Sequence, residues 1–112
     1  MSARAASGLM VSALMRQVEA RGGNGAVLAR GDATAGALLL ILAERGKVVA
    51  CRERGLRPDG VSGWIASGPA DASDPESLGA YVERRRRFDG DLWVVELDGI
   101  DLPTIDALLE AF

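Results

Sequence analysis

The chain has 112 residues, 48% of them hydrophobic and 26% charged, and a net charge of −3. This balance suits one domain with a modest core, and it excludes a disordered chain and a broadly basic nucleic-acid binder. It has no histidine and one cysteine, Cys51, so His-dependent triads, His-ligated metal sites and internal disulfides are excluded as well.

Apolar residues at Met10, Val11, Leu14, Met15 and Val18 fall at helical spacing, and Gly22-Gly23 supplies a stop. A helix is therefore predicted over the N-terminal segment; the alternative is a short strand first, with Ser12 as the helix cap. Arg16, Gln17 and Glu19 follow the apolar patch where a signal peptide would carry small residues, so the segment is not read as a leader. No apolar run reaches the length of a membrane span. A cytoplasmic protein is expected.

Four strands follow: residues 25–30, the continuous apolar run 37–45, residues 47–54 and the weaker 61–67. A run apolar on both faces is expected of a central strand covered on each side. The short spacings leave no room for crossover helices, which predicts antiparallel pairing. Asp74, Pro75 and Glu76 form a helix start. This helix carries Leu78, Tyr81, Val82 and Phe88 on one stripe and ends near Asp89-Gly90. Residues 91–97 form a fifth strand, and a short last helix runs through Ile105, Leu108 and Leu109. Residues 1–112 are thus predicted to be a single α+β domain of order α-β-β-β-β-α-β-α, with a mainly antiparallel sheet and helices on one face.

Charge is unevenly distributed. Residues 1–88 hold all 13 basic and nine of the acidic residues, whereas residues 89–112 hold seven acidic and no basic ones. Arg84 to Arg87 stand at the border. At about 100° per residue four consecutive side chains fan around the helix, so they cannot form one flat patch. The dominant expectation is structural: cations favoured at a helix C-terminus, with Arg86 pointing away from the core, a Glu83–Arg87 pair, and at least one arginine paired with a carboxylate of residues 89–98. Phe88 is expected to anchor the helix end, and Trp93 to be buried. A functional alternative is an anion-binding or hydrolytic site built from Arg84, Arg85, Arg87, Asp91 and Glu96, with arginine holding the anion and a carboxylate as acid or base. Glu96 is the odd residue of an otherwise apolar strand.

Other signals are weaker. "GDATAG" lacks the spacing and lysine of a phosphate loop. Asp89, Asp91, Asp98 and Asp101 match no calcium loop. Cys51 reads as a small core residue, and Trp64 and Trp93 as packing anchors.

The segments "GAVLARGDATAGALLLIL" and "RRRRFDGDLWVVELD", with the Trp64 region between them, resemble a family of short alphaproteobacterial proteins known as a domain of unknown function. The likeness spans roughly residues 8 to 98. Its most specific block is Arg86, Arg87, Phe88, Asp89, Asp91, Leu92, Trp93, Val94, Val95 and Glu96. The resemblance implies a bacterial, cytoplasmic protein and carries over no activity, cofactor or catalytic residue. With no catalytic constellation visible, the expected function is binding to a protein partner or to a second copy, as a homodimer through a sheet edge or the N-terminal helix. No cofactor, metal, nucleic acid or membrane is expected to take part.

Overall fold

The computed structural model describes residues 6–112; residues 1–5, part of the segment read against a leader, lie outside it. The elements are α1 (Ser7–Ala20), β1 (Asn24–Ala29), β2 (Leu38–Glu44), β3 (Lys47–Leu56), β4 (Ser62–Ser67), α2 (Pro75–Phe88), β5 (Trp93–Asp98) and α3 (Leu102–Leu109). Their order is the predicted one. α1 starts at Ser7, so the helix-only reading of the N-terminal segment holds. Asp74 caps α2 by accepting from Ser77 N, and Asp101 caps α3 by accepting from Thr104 N.

The five strands form one sheet in the order β1-β5-β2-β3-β4. β2-β3-β4 is the antiparallel meander that the short connections require, and Arg45 and Gly46 turn its first hairpin with positive φ at both positions. Two features differ from expectation. β5 lies parallel to β2, with Leu38 opposite Trp93 and Ala43 opposite Asp98, and antiparallel to β1. The sheet is therefore mixed, though three of its four pairings are antiparallel, so it is mainly antiparallel as expected. The linker and α2 together are long enough to carry the chain back across the sheet, which a tight turn cannot do. The helices also lie on both faces rather than one. α1 and α3 cover one side through Val11, Leu14, Val18, Ile105 and Leu109. On the other side, α2 packs Leu78, Tyr81 and Val82 against Leu39, Ile41, Cys51 and Val94. Helices on both faces explain why β2 is buried along its whole apolar run.

β5 alternates as predicted: Trp93, Val95 and Leu97 face α1 and α3, while Leu92 and Val94 face α2. It is an interior strand, between β1 and β2. Trp93 is 3% exposed, but Phe88 is 81% exposed and anchors nothing. The apolar stripe of α2 loses its covering after Val82, and its last turn runs out beyond the core. Phe88→Ala is accordingly expected to change unfolding free energy by less than about 0.5 kcal/mol in a denaturant titration. Among the described residues no helix is long and apolar enough to cross a membrane.

Candidate functional site

Strand alternation in β3 sends Cys51 and Glu53 toward α2 and Arg52 and Arg54 toward α3. On the α3 side Arg52 pairs with Asp106 at 3.0 Å, while Arg54 donates to the main-chain oxygen of Phe112 and lies over the Trp64 ring at 5.7 Å. On the α2 side a polar cluster forms around Glu53. Arg85 Nε and Nη2 donate to Glu53 Oε1 at 3.1 and 2.5 Å, and Tyr81 Oη donates to Oε2 at 2.6 Å. The buried Ser67 hydroxyl stands beside the same carboxylate.

Burial alone would raise the Glu53 pKa. The hydrogen bonds from Arg85 and Tyr81, together with the Arg85 charge, outweigh it and hold the carboxyl below its ordinary value. The same contact raises Arg85 further, and burial followed by the Glu53 hydrogen bond raises Tyr81. Burial, with the nearby Glu53 charge, also pushes up the thiol of Cys51, which is a core residue.

The arginine run fans out as its spacing requires. Arg84 lies over the Tyr81 ring at 5.9 Å, Arg85 is held by Glu53, and Arg87 pairs with Glu83 at 3.5 Å. The i,i+4 pair is present. Among the described residues, however, no arginine of the run pairs with a carboxylate of residues 89–98. β5 enters the sheet on the far side of β2 from Glu53. Its acidic neighbours are engaged locally: Asp89 Oδ1 accepts from Asp91 N, and the Asp98 carboxylate accepts from Gly46 N. Asp91 sits exposed at the turn before β5. Glu96 lies farther along β5, half-buried beside Asn24, Gly25 and Ala26. Arg84, Arg85, Arg87, Asp91 and Glu96 are thus not gathered around one space.

The structure instead opens a groove where none was anticipated. The sheet is about 19 Å wide, four strand spacings of about 4.8 Å, and a helix covers about 10 Å. Among the described residues two helices cover one face, but α2 alone covers the other. Beside it, over β1 and β5, lies a groove of about 440 Å³. Ala29, Ile41 and Val94 form its floor, and Leu28, Leu78 and Val82 its walls. Glu83 and Arg86 stand at its mouth. Arg86 is the arginine expected to point away from the core, and it does so while facing this cavity. The i, i+3, i+4 spacing of Leu78, Val82 and Arg86 with Gly79 and Glu83 was readable; which flank of the helix would lie uncovered was not.

β1 forms the outer wall and is an edge strand. It reads Asn-Gly-Ala-Val-Leu-Ala, with no charge and with Ala26, Val27 and Leu28 exposed in succession.

Comparison with known proteins agrees with this architecture. No curated protein matches. A crystal structure of a DUF1491 family protein from Caulobacter crescentus is 34% identical, with a TM-score of 0.72, over 86% of this chain and 89% of that one. An NMR structure of a DUF1491 family protein from the same organism is 33% identical, with a TM-score of 0.73, over 89% and 90%. A solution structure of a protein from A. tumefaciens is 30% identical, with a TM-score of 0.74, over 92% of each chain. The family model described as a protein of unknown function, DUF1491, matches residues 5–105 and so extends past β5 into α3. The chain belongs to the DUF1491 family.

Proposed function

We propose that this chain is a non-enzymatic cytoplasmic binding domain that acts as a homodimer, paired through β1. One observation carries this reading: β1 is an uncharged sheet edge that leaves Ala26, Val27 and Leu28 exposed in a row. Open edges of soluble proteins are usually guarded by charge, proline, a covering element or a β-bulge, and of these β1 carries only an irregularity between Val27 and Ala29. The other edge, β4, has its central Gly63, Trp64 and Ile65 half-buried. β1 has no charge and, among the described residues, no element covering its edge.

The absence of charge also favours a second copy as the partner. In an antiparallel pair about a two-fold axis each residue of β1 faces β1 of the other copy. A charged side chain on or beside the axis would meet its own like charge, and β1 carries none. Pairing would join two five-stranded sheets and close the open main-chain edge of β1.

The test is a single lysine. Val27 is 43% exposed, so Val27→Lys should fold with little loss of stability. In the dimer it would bring two ammonium groups together across the axis. Analytical ultracentrifugation of the wild type should give twice the 11.7 kDa chain mass, and Val27→Lys should give the monomer. A wild-type monomer at high micromolar concentration would remove the proposal.

A further inference from the structure

We infer that the groove beside α2 is a binding site for a small amphipathic carboxylate, an acyl chain ending in a single carboxylate, with Arg86 as the head-group partner. The inference is independent of dimer formation, since strand pairing uses the edge of β1 and leaves the α2 face open.

The first support is shape and lining. At about 440 Å³ the groove falls in the range of small-molecule sites, roughly 300–1,000 Å³. Its floor and walls are aliphatic, from β1, β2, β5 and α2. It follows α2 from Pro75 to Arg86, about 16 Å at 1.5 Å per residue. That is an elongated slot suited to a chain rather than to a ring.

The second support is charge at the mouth. Glu83 is engaged by Arg87 at 3.5 Å, and among the described residues Arg86 has no ion-pair partner. One free guanidinium therefore faces an apolar slot. A helix C-terminus carries about half a negative charge, which by itself would repel an anion. Arg86, a full positive charge in that turn with no carboxylate partner among the described residues, outweighs it. One guanidinium matches one carboxylate by two parallel hydrogen bonds. A phosphate or polyanion would call for several cations on the cavity, and Arg84, Arg85 and Arg87 are committed to Tyr81, Glu53 and Glu83. A cationic head group would meet Arg86 directly.

The experiment uses the isotope-labelled full chain and two probes with the same tail, decanoate and decyltrimethylammonium, followed by NMR. Decanoate should give saturable shifts at Leu28, Ile41, Val82 and Val94, below the concentration at which it forms micelles. The ammonium probe should bind at least about tenfold more weakly. Arg86→Glu should reverse that order. Arg86 is exposed, so the variant should fold. Gly79→Leu fills the slot from a helical position with nothing within 4 Å of its would-be Cβ, and it removes a helix-weakening glycine. It should abolish decanoate binding. Equal affinity for the two heads would overturn the assignment, as would unchanged binding in Gly79→Leu or shifts spread away from the groove. Binding that begins only with micelles would mark a lipid-assembly surface and would overturn it too.

Discussion

Trp93→Ala should lower the unfolding free energy by about 3–5 kcal/mol, the largest effect expected of any substitution in the opening stretch of β5. The indole is 3% exposed, within the core shared by α1, α3 and the sheet. It also holds the loop between β1 and β2. Trp93 Nε1 donates to the Asp32 carbonyl at 2.7 Å, Arg30 lies over the ring at 5.4 Å, and a Cβ on Gly31 would come within 2.6 Å of the ring. Alanine would leave a cavity under α1 and free that loop. Trp93→Phe separates the two roles: it keeps most of the apolar volume and should cost only about 1 kcal/mol for the lost hydrogen bond, plus the smaller ring. Urea titration of both variants provides the measurement. Phe88→Ala, by contrast, removes an aromatic ring that touches no core.

The second large effect lies at Glu53. Glu53→Gln keeps the shape and one hydrogen bond but removes the charge that Arg85 faces. A loss of about 2 kcal/mol is expected, less than for a fully buried pair because the Arg85 side chain is 30% exposed. The pH dependence supplies the sharper signature. In the folded protein the Glu53 carboxyl is held below its ordinary value of 4.5: burial acts upward, and the Arg85 and Tyr81 hydrogen bonds and the Arg85 charge act downward more strongly. A carboxyl lowered on folding contributes stability that is full above its unfolded pKa and is lost as pH falls through the folded one. The difference between wild type and Glu53→Gln should therefore be constant above about pH 4.5 and shrink below it. A difference that grows on acidification would mean that burial, not the ion pair, dominates at this residue.

Much of the fold was readable because its signals are local. Asp74-Pro75 starts a helix by capping chemistry that needs no tertiary partner. The unbroken run Leu38 to Ala43 requires cover on both faces and receives it. Trp93, Val95 and Leu97 alternate with Leu92 and Val94 at a period that leaves no choice of face. The failures concern long-range placement. Nothing local says that the segment containing α2 carries β5 to the far side of β2, and from that one event three departures follow. The pairing of β2 with β5 becomes parallel, α2 comes to lie on the face opposite α1 and α3, and the acidic residues after Asp89 are carried away from Arg85. Glu53 takes their place as its partner. Its spacing from Cys51 marked the inward face, but only the assembled sheet shows that Tyr81 and Arg85, four residues apart, meet it there. Phe88 misled because its periodicity continues one turn after the core has ended. Arg86 faces solvent, as its helical position requires; that it also faces a cavity depends on α2 covering less than the width of the sheet.

The same reasoning accounts for the surface on which the functional proposal rests. Among the described residues, a five-stranded sheet with two helices on one face and one on the other leaves a strip uncovered, and β1 borders that strip as an edge without charge. Whether the edge pairs with a second copy is read most directly by an isotope-filtered NOE experiment on an equimolar mixture of labelled and unlabelled chains. The account expects intermolecular contacts among Ala26, Val27 and Leu28 of the two copies. Contacts within one chain alone, with β1 amides exchanging freely on its outer side, would contradict it.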